Sequence, residues 1–109
     1  APLPHELDEF EHAGLTKAPS RLVEPPRVGE APVAFECRTW KVIDLPPQPD
    51  GSANTMILGE VVGVHIADEA LTDGMIDVER IRPIARLGYT HYAVIDEAFS
   101  MTRPRQAAR

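Results

Sequence analysis

Residues 33–45, VAFECRTWKVIDL, and 55–66, TMILGEVVGVHI, are two long apolar-rich runs joined by the loop-forming stretch PPQPDGSA. That pair constrains the fold more than any other feature. In the first run Val33, Phe35 and Cys37 alternate with Ala34, Glu36 and Arg38, the period of a half-buried strand. Trp40 and Val42 then fall on the opposite parity, followed by Ile43 and Leu45, so a bulge or sharp bend is predicted near Thr39. In the second run Met56, Leu58, Val62, Val64 and Ile66 share one face. Ile57, Gly59, Val61, Gly63 and His65 share the other. The short loop of prolines, Asp50 and Gly51 predicts an antiparallel hairpin, with Phe35, Cys37, Met56, Leu58 and Val62 among its buried residues. Two apolar faces predict cover on both sides. Gly59 and Gly63 predict close approach of another backbone or a flat ligand.

The flanks read differently. Residues 7–13 predict two helical turns closed by Gly14, with Leu7 and Phe10 facing inward. Between residues 15 and 32 lie Pro19, Pro25, Pro26 and Pro32, which predict an extended wrap whose one strand candidate is Ser20–Val23. Residues 67–74 predict a helical turn closed by Asp73-Gly74. Asp77 is expected to cap a short helix running to Ile81 and ended by Pro83. In 92–102 a strand is expected at the end, with Phe99 and Met101 on one face. Residues 103–109 form a polar tail.

Bulk properties exclude several classes. A chain of 109 residues predicts one domain at most. The net charge of −6 without a basic stripe argues against nucleic-acid binding. No apolar run approaches the roughly 20 residues of a membrane span, and no signal peptide is visible. The single cysteine, Cys37, forms no internal disulfide and fits a reducing, cytoplasmic compartment. Without a base beside it, it reads as a small hydrophobe. The opening Ala-Pro-Leu-Pro, without an initiator Met, suits a mature chain or a cut through a longer one.

The histidines have no metal-ligand spacing, and His65 reads as a structural residue on a strand. No phosphate loop, dinucleotide fingerprint or nucleophile elbow is present. The segment RPIARLGYTHYAV, 82–94, has two readings. One is a helix-to-strand connection with surface arginines. The other is a rim for an anionic aromatic ligand, with Arg86 on a phosphate and a tyrosine on a ring.

In order and spacing, DEFEHAGLT, PSRLVEPPRVGEAPVAFECR, NTMILGEVVGVHI and RPIARLGYTHYAV with MTRP behind it resemble the flavin reductase-like domain family. The resemblance implies a mainly β fold with short helices, the C-terminal half of an FMN-binding split β-barrel. Residues 1–32 would wrap, 33–66 form the hairpin and 67–102 close the domain. It implies FMN as cofactor, NAD(P)H as cosubstrate, hydride transfer to flavin, a homodimer and a possible partner flavin-dependent oxygenase. Family members are about twice this length and hold most of the FMN site in the N-terminal half. The residues left to this chain are Asn54, Arg86, Gly88, Tyr89 and Tyr92. Asn54 stands where many relatives carry a histidine near the nicotinamide, and an amide cannot titrate. A flavin-binding electron carrier and a non-catalytic dimerisation segment are the alternatives.

Overall fold

The computed structural model describes residues 7–105. It divides into two compact units, 1–67 and 68–109. The expectations for 1–6 and 106–109 lie outside the described residues.

In the first unit, α1 (Glu9–Ala13) is capped by the Asp8 side chain, which accepts from the Phe10 amide. It stops at Gly14, whose φ of 72° is the left-handed conformation glycine adopts without strain. The Lys17 ammonium binds the Asp8 carboxylate and holds it below the usual carboxylate range. β1 (Lys17–Ala18) pairs antiparallel with β2 (Arg27–Val28). Ser20–Val23, the strand candidate, is not a strand. The short strands lie on either side of it, and its amides turn to a carboxylate instead of a ladder.

β3 (Val33–Asp44) and β4 (Thr55–Ile66) form the antiparallel hairpin. Thr39 pairs with Gly59 and Lys41 with Leu58, so Trp40 is the extra residue of a bulge where the parity slips. A second irregularity leaves Val62 extra between the Glu36–Gly63 and Cys37–Val61 pairs. At both glycines the nearest neighbour is a side chain of the same unit. A Cβ at Gly59 would lie 3.1 Å from the Cys37 Cβ, and one at Gly63 would meet Leu22 Cδ1 at 3.4 Å and Glu36 Cβ at 3.5 Å.

The expected burial needs correction. Phe35 is 62% exposed, and Cys37 and Met56 are exposed as well; Leu58 and Val62 are half-buried. The buried residue of β3 is Glu36, at 2% exposure. The reason is the covering layer. Arg21 and Leu22 lie over the face that carries Glu36 and Gly63, and their amides donate to the Glu36 carboxylate at 2.9 and 2.6 Å. The Nε2 of His65, diagonally across the hairpin, binds the same carboxylate. His65 and the two amides together hold Glu36 at about 2, well below its ordinary 4.5. An ionised carboxylate only accepts, so Nε2 carries the proton in this bond. Because folding lowers the Glu36 pKa, the contact stabilises the unit fully above pH 4.5 and is lost as pH falls toward 2.

In the second unit a 3-10 turn (Asp68–Ala70) buries Ala70 and leads into β5 (Leu71–Thr72) and β6 (Met75–Ile76). Asp73 and Gly74 join these strands with φ of 53° and 78°, the primed-turn geometry of a tight hairpin. α2 (Val78–Ile81) is capped by Asp77. Pro83 excludes Arg82 from the right-handed helical region, and Arg82 takes φ 46° while its amide closes the helix on Val78 O. β7 (Ile84–Arg86) pairs with β8 (Tyr92–Val94). The strand expected at the end of 92–102 is therefore at its start. Phe99 and Met101 are exposed, in a stretch without regular structure.

Two measurements check this account. A glutamine at position 36 has one acceptor oxygen for three donors and adds an NH2 that opposes them. Glu36→Gln is expected to speed amide exchange at Arg21 and Leu22 by at least about tenfold, while Met56, in a hydrogen-bonded pair with Ile43 at the far end of the hairpin, keeps its protection. Unchanged exchange at Arg21 and Leu22 would contradict the clamp. Gly59→Ala is expected to destabilise the chain by about 1–3 kcal/mol through overpacking. Adding Cys37→Gly should recover part of that loss in denaturant unfolding; additive losses would show that the two Cβ positions do not collide.

Candidate functional site

The segment 82–94 leads from the end of α2 through Arg82 and Pro83 into a β-hairpin. Leu87 N donates to His91 O at 2.9 Å, and His91 N to Gly88 O at 3.1 Å, so Gly88, Tyr89 and Thr90 form the tip. Arg86 and Tyr92 face each other across the strands as the pair just inside that bonded one. Such a non-hydrogen-bonded pair brings the side chains close, and the Arg86 guanidinium lies 5.9 Å from the centre of the Tyr92 ring. Arg82, the other arginine of the segment, is committed to Asp96, with Nε 2.8 Å from Oδ1. Arg86 has no carboxylate among the described ion pairs.

The tip holds a local strain that the sequence does not announce. Tyr89, not Gly88, takes the left-handed conformation, with φ 58°. An aromatic residue there costs energy that glycine would not, and the side chain is 92% exposed. At Gly88 a Cβ would meet nothing within 4 Å and φ is not positive, so neither close packing nor backbone conformation demands glycine.

The structure thus brings Arg86, Gly88, Tyr89 and Tyr92 together on one hairpin of the second unit. Asn54 belongs to the first unit, at the mouth of the β3–β4 hairpin, where its carbonyl accepts from Leu45 N at 3.0 Å and its side chain is exposed. The Thr72 hydroxyl and the amides of Glu79 and Arg80 hold Asp77 below the usual carboxylate range, and Ile95 N bonds Pro83 O at 2.9 Å.

The residues that sequence reasoning missed are Glu36 and its partners. Arg21, Leu22, Glu36, Gly63, Val64 and His65 line a cleft of about 200 Å³ in the first unit. A signal for it was present. Glu36 sits in a strand one glycine and one residue away from His65 in register, on a face that lacks bulky apolar residues. Among the described residues no three His, Cys, Asp or Glu side chains converge on a metal-binding geometry, and no helix is long and apolar enough to cross a membrane.

Comparison with known proteins places this geometry. The family model for the flavin reductase like domain matches residues 1–86. An uncharacterized protein of Halalkalibacterium halodurans is 39% identical over 103 residues, 94% of this chain and 49% of that protein. Nitrilotriacetate monooxygenase component B from Bacillus cereus superposes with a TM-score of 0.75 at 34% identity, over 85% of this chain and 47% of that one. Flavoredoxin of Desulfovibrio vulgaris superposes with a TM-score of 0.73 at 26% identity, over 89% of this chain and 49% of that one. The chain spans about half the length of the curated relatives it matches. From the β3–β4 hairpin with its Glu36 face to the hairpin that carries Arg86, this chain belongs to the flavin reductase-like domain family, with its mainly β split-barrel fold.

Proposed function

We propose that the chain is part of an FMN-binding, NAD(P)H-dependent flavin reductase of about its relatives' length, cytoplasmic and homodimeric, whose reduced flavin serves a partner oxygenase. The family supports the flavin, and the monooxygenase component among the similar structures supports the oxygenase. The observation that carries the reading is the β7–β8 hairpin. It presents an arginine free of carboxylate partners among the described ion pairs, stacked near one tyrosine, beside a second tyrosine held exposed in a strained conformation.

These residues fit a rim for a flat, phosphorylated cofactor. Tyr89 and Tyr92 offer aromatic faces, Arg86 offers a fixed charge, and Gly88 leaves the tip unobstructed; in the first unit, Asn54 by itself offers an exposed amide. They do not form a cradle of converging backbone amides, so the phosphate grip is assigned to residues outside this chain. Bound flavin would supply the redox chemistry, accepting a hydride from nicotinamide. The residues of this chain would bind and orient the rings; no general acid or base is needed from them. The similarity to flavoredoxin supports a second reading, a flavin-binding electron carrier without nicotinamide turnover.

The test is a fluorescence titration of FMN, then NADH oxidation, on a protein of the relatives' length. Arg86→Ala should weaken FMN or nicotinamide binding by about 1–3 kcal/mol. Values within about 0.5 kcal/mol in both assays would return Arg86 to the surface. FMN binding without NADH oxidation would favour the carrier. The 109-residue chain alone should not bind FMN measurably, and tight binding by it would overturn the assignment of the phosphate grip elsewhere.

A further inference from the structure

The β7–β8 hairpin carries charge of one sign only. Between Ile84 and Val94 the sequence holds Arg86 and His91 and neither aspartate nor glutamate. The chain as a whole is acidic, at −6, so the hairpin reverses the prevailing sign. The carboxylates that flank it are engaged. Asp96 is paired with Arg82. Glu79 accepts from the Ala98 amide at 3.3 Å, and Asp77 accepts from the Thr72 hydroxyl at 2.7 Å and from the cap amides of α2. Arg86 takes part in none of the described ion pairs. Its side chain is exposed and shares a face with Tyr92, its cross-strand partner, with the guanidinium 5.9 Å from the ring centre.

That sign bears on a choice the proposed reaction leaves open. NADH and NADPH give up the same hydride, two electrons and one proton, from the same nicotinamide ring, and leave as NAD+ and NADP+. They differ at the other end of the molecule. NADPH carries a phosphate on the adenosine 2′-oxygen, where NADH has a free hydroxyl. A carboxylate suits NADH, because it accepts from the ribose hydroxyl, and repels the 2′-phosphate; an arginine accommodates that phosphate. The transfer itself separates the two ends. The nicotinamide has to meet the flavin ring at close range and away from water, which leaves the adenosine end outermost. Tyr89, at the hairpin tip, is exposed and held in its left-handed turn, with Arg86 and Tyr92 just inside it. An aromatic face for the purine and a guanidinium for the phosphate are the contacts an adenosine 2′-phosphate calls for.

We propose that the β7–β8 hairpin receives the adenosine 2′-phosphate end of NADPH, with Arg86 on the phosphate and Tyr89 against the adenine, and that the protein therefore prefers NADPH to NADH. The proposal rests on the reductase reading above and goes beyond it by naming the nucleotide. Arg86 contributes to both nucleotides through the adenosine they share, but only the 2′-phosphate draws on its full charge. The pyrophosphate and nicotinamide contacts belong to residues outside this chain.

The test uses a protein of the relatives' length, loaded with FMN. Its kcat/KM is measured with NADPH and with NADH. Calorimetry compares 2′,5′-ADP, the adenosine end of NADPH, with 5′-AMP, which lacks only the 2′-phosphate. NADPH is expected to exceed NADH in kcat/KM by at least about tenfold, and 2′,5′-ADP to bind at least about tenfold tighter than 5′-AMP. Arg86→Gln should remove most of both differences, and Arg86→Lys should keep part of them. Tyr89→Ala should weaken 2′,5′-ADP and 5′-AMP alike; no loss with either would overturn the placing of adenine at the tip. Equal use of NADH and NADPH would overturn the proposal and leave the reductase reading standing, and so would a preference for NADPH that survives Arg86→Gln. Oxidation of neither nucleotide would end the reductase reading, and the calorimetry then decides alone. A preference for 2′,5′-ADP that Arg86→Gln abolishes would support the site, and equal or absent binding of the two ligands would overturn it.

Discussion

The first unit depends on a buried carboxylate. Glu36 stands at a position where a sheet packed against an apolar layer would carry a hydrophobic side chain, and it is the most buried residue of β3. Burying a charge is unfavourable unless its hydrogen bonds are replaced. Two amides from a proline-rich wrap and one imidazole from the opposite strand replace them. The same three bonds do three structural jobs. They fix the Arg21–Leu22 segment, which has no ladder of its own. They tie β3 to β4 close to the Val62 irregularity. They also set the orientation of His65, which forms a wall of the cleft beside Glu36. Gly63 lies beside this arrangement, where an added Cβ would be in ordinary contact with Leu22 and Glu36.

The second unit solves a different problem with local means. Asp77 caps α2, Pro83 ends it, and Arg82 bridges to Asp96 across the hairpin base. These short-range contacts carry a hairpin whose tip places Tyr89 in a left-handed turn and Arg86 against Tyr92. Strain at an exposed aromatic residue is the feature on which the functional proposal leans, since a turn selected for stability alone would carry glycine there.

What was legible in the sequence follows the range of the interactions. The long hairpin, the Trp40 bulge, the Asp73-Gly74 turn and the Asp77 cap are all written in neighbouring residues, through parity, turn chemistry or capping. The amide half of the Glu36 clamp was not, because those donors are backbone amides 14 and 15 residues away, and amides have no sequence signature. Missing the clamp also reversed the burial of Phe35 and Cys37, since the covered face is decided by where the wrap lies. In the candidate site, Arg86 and Tyr92 could be paired once a hairpin was drawn through them. The left-handed Tyr89 could not, because the adjacent Gly88 is the residue that local rules would choose. Asn54 was singled out by resemblance alone, and its exposed side chain offers no local bond that would explain it.

The charge state of Glu36 tests the central claim most directly. A 13C NMR titration of its side-chain carboxyl in the folded chain should give a midpoint near 2. A midpoint near the ordinary 4.5 would mean that the carboxylate is not held by Arg21, Leu22 and His65, and the account of the first unit would fail.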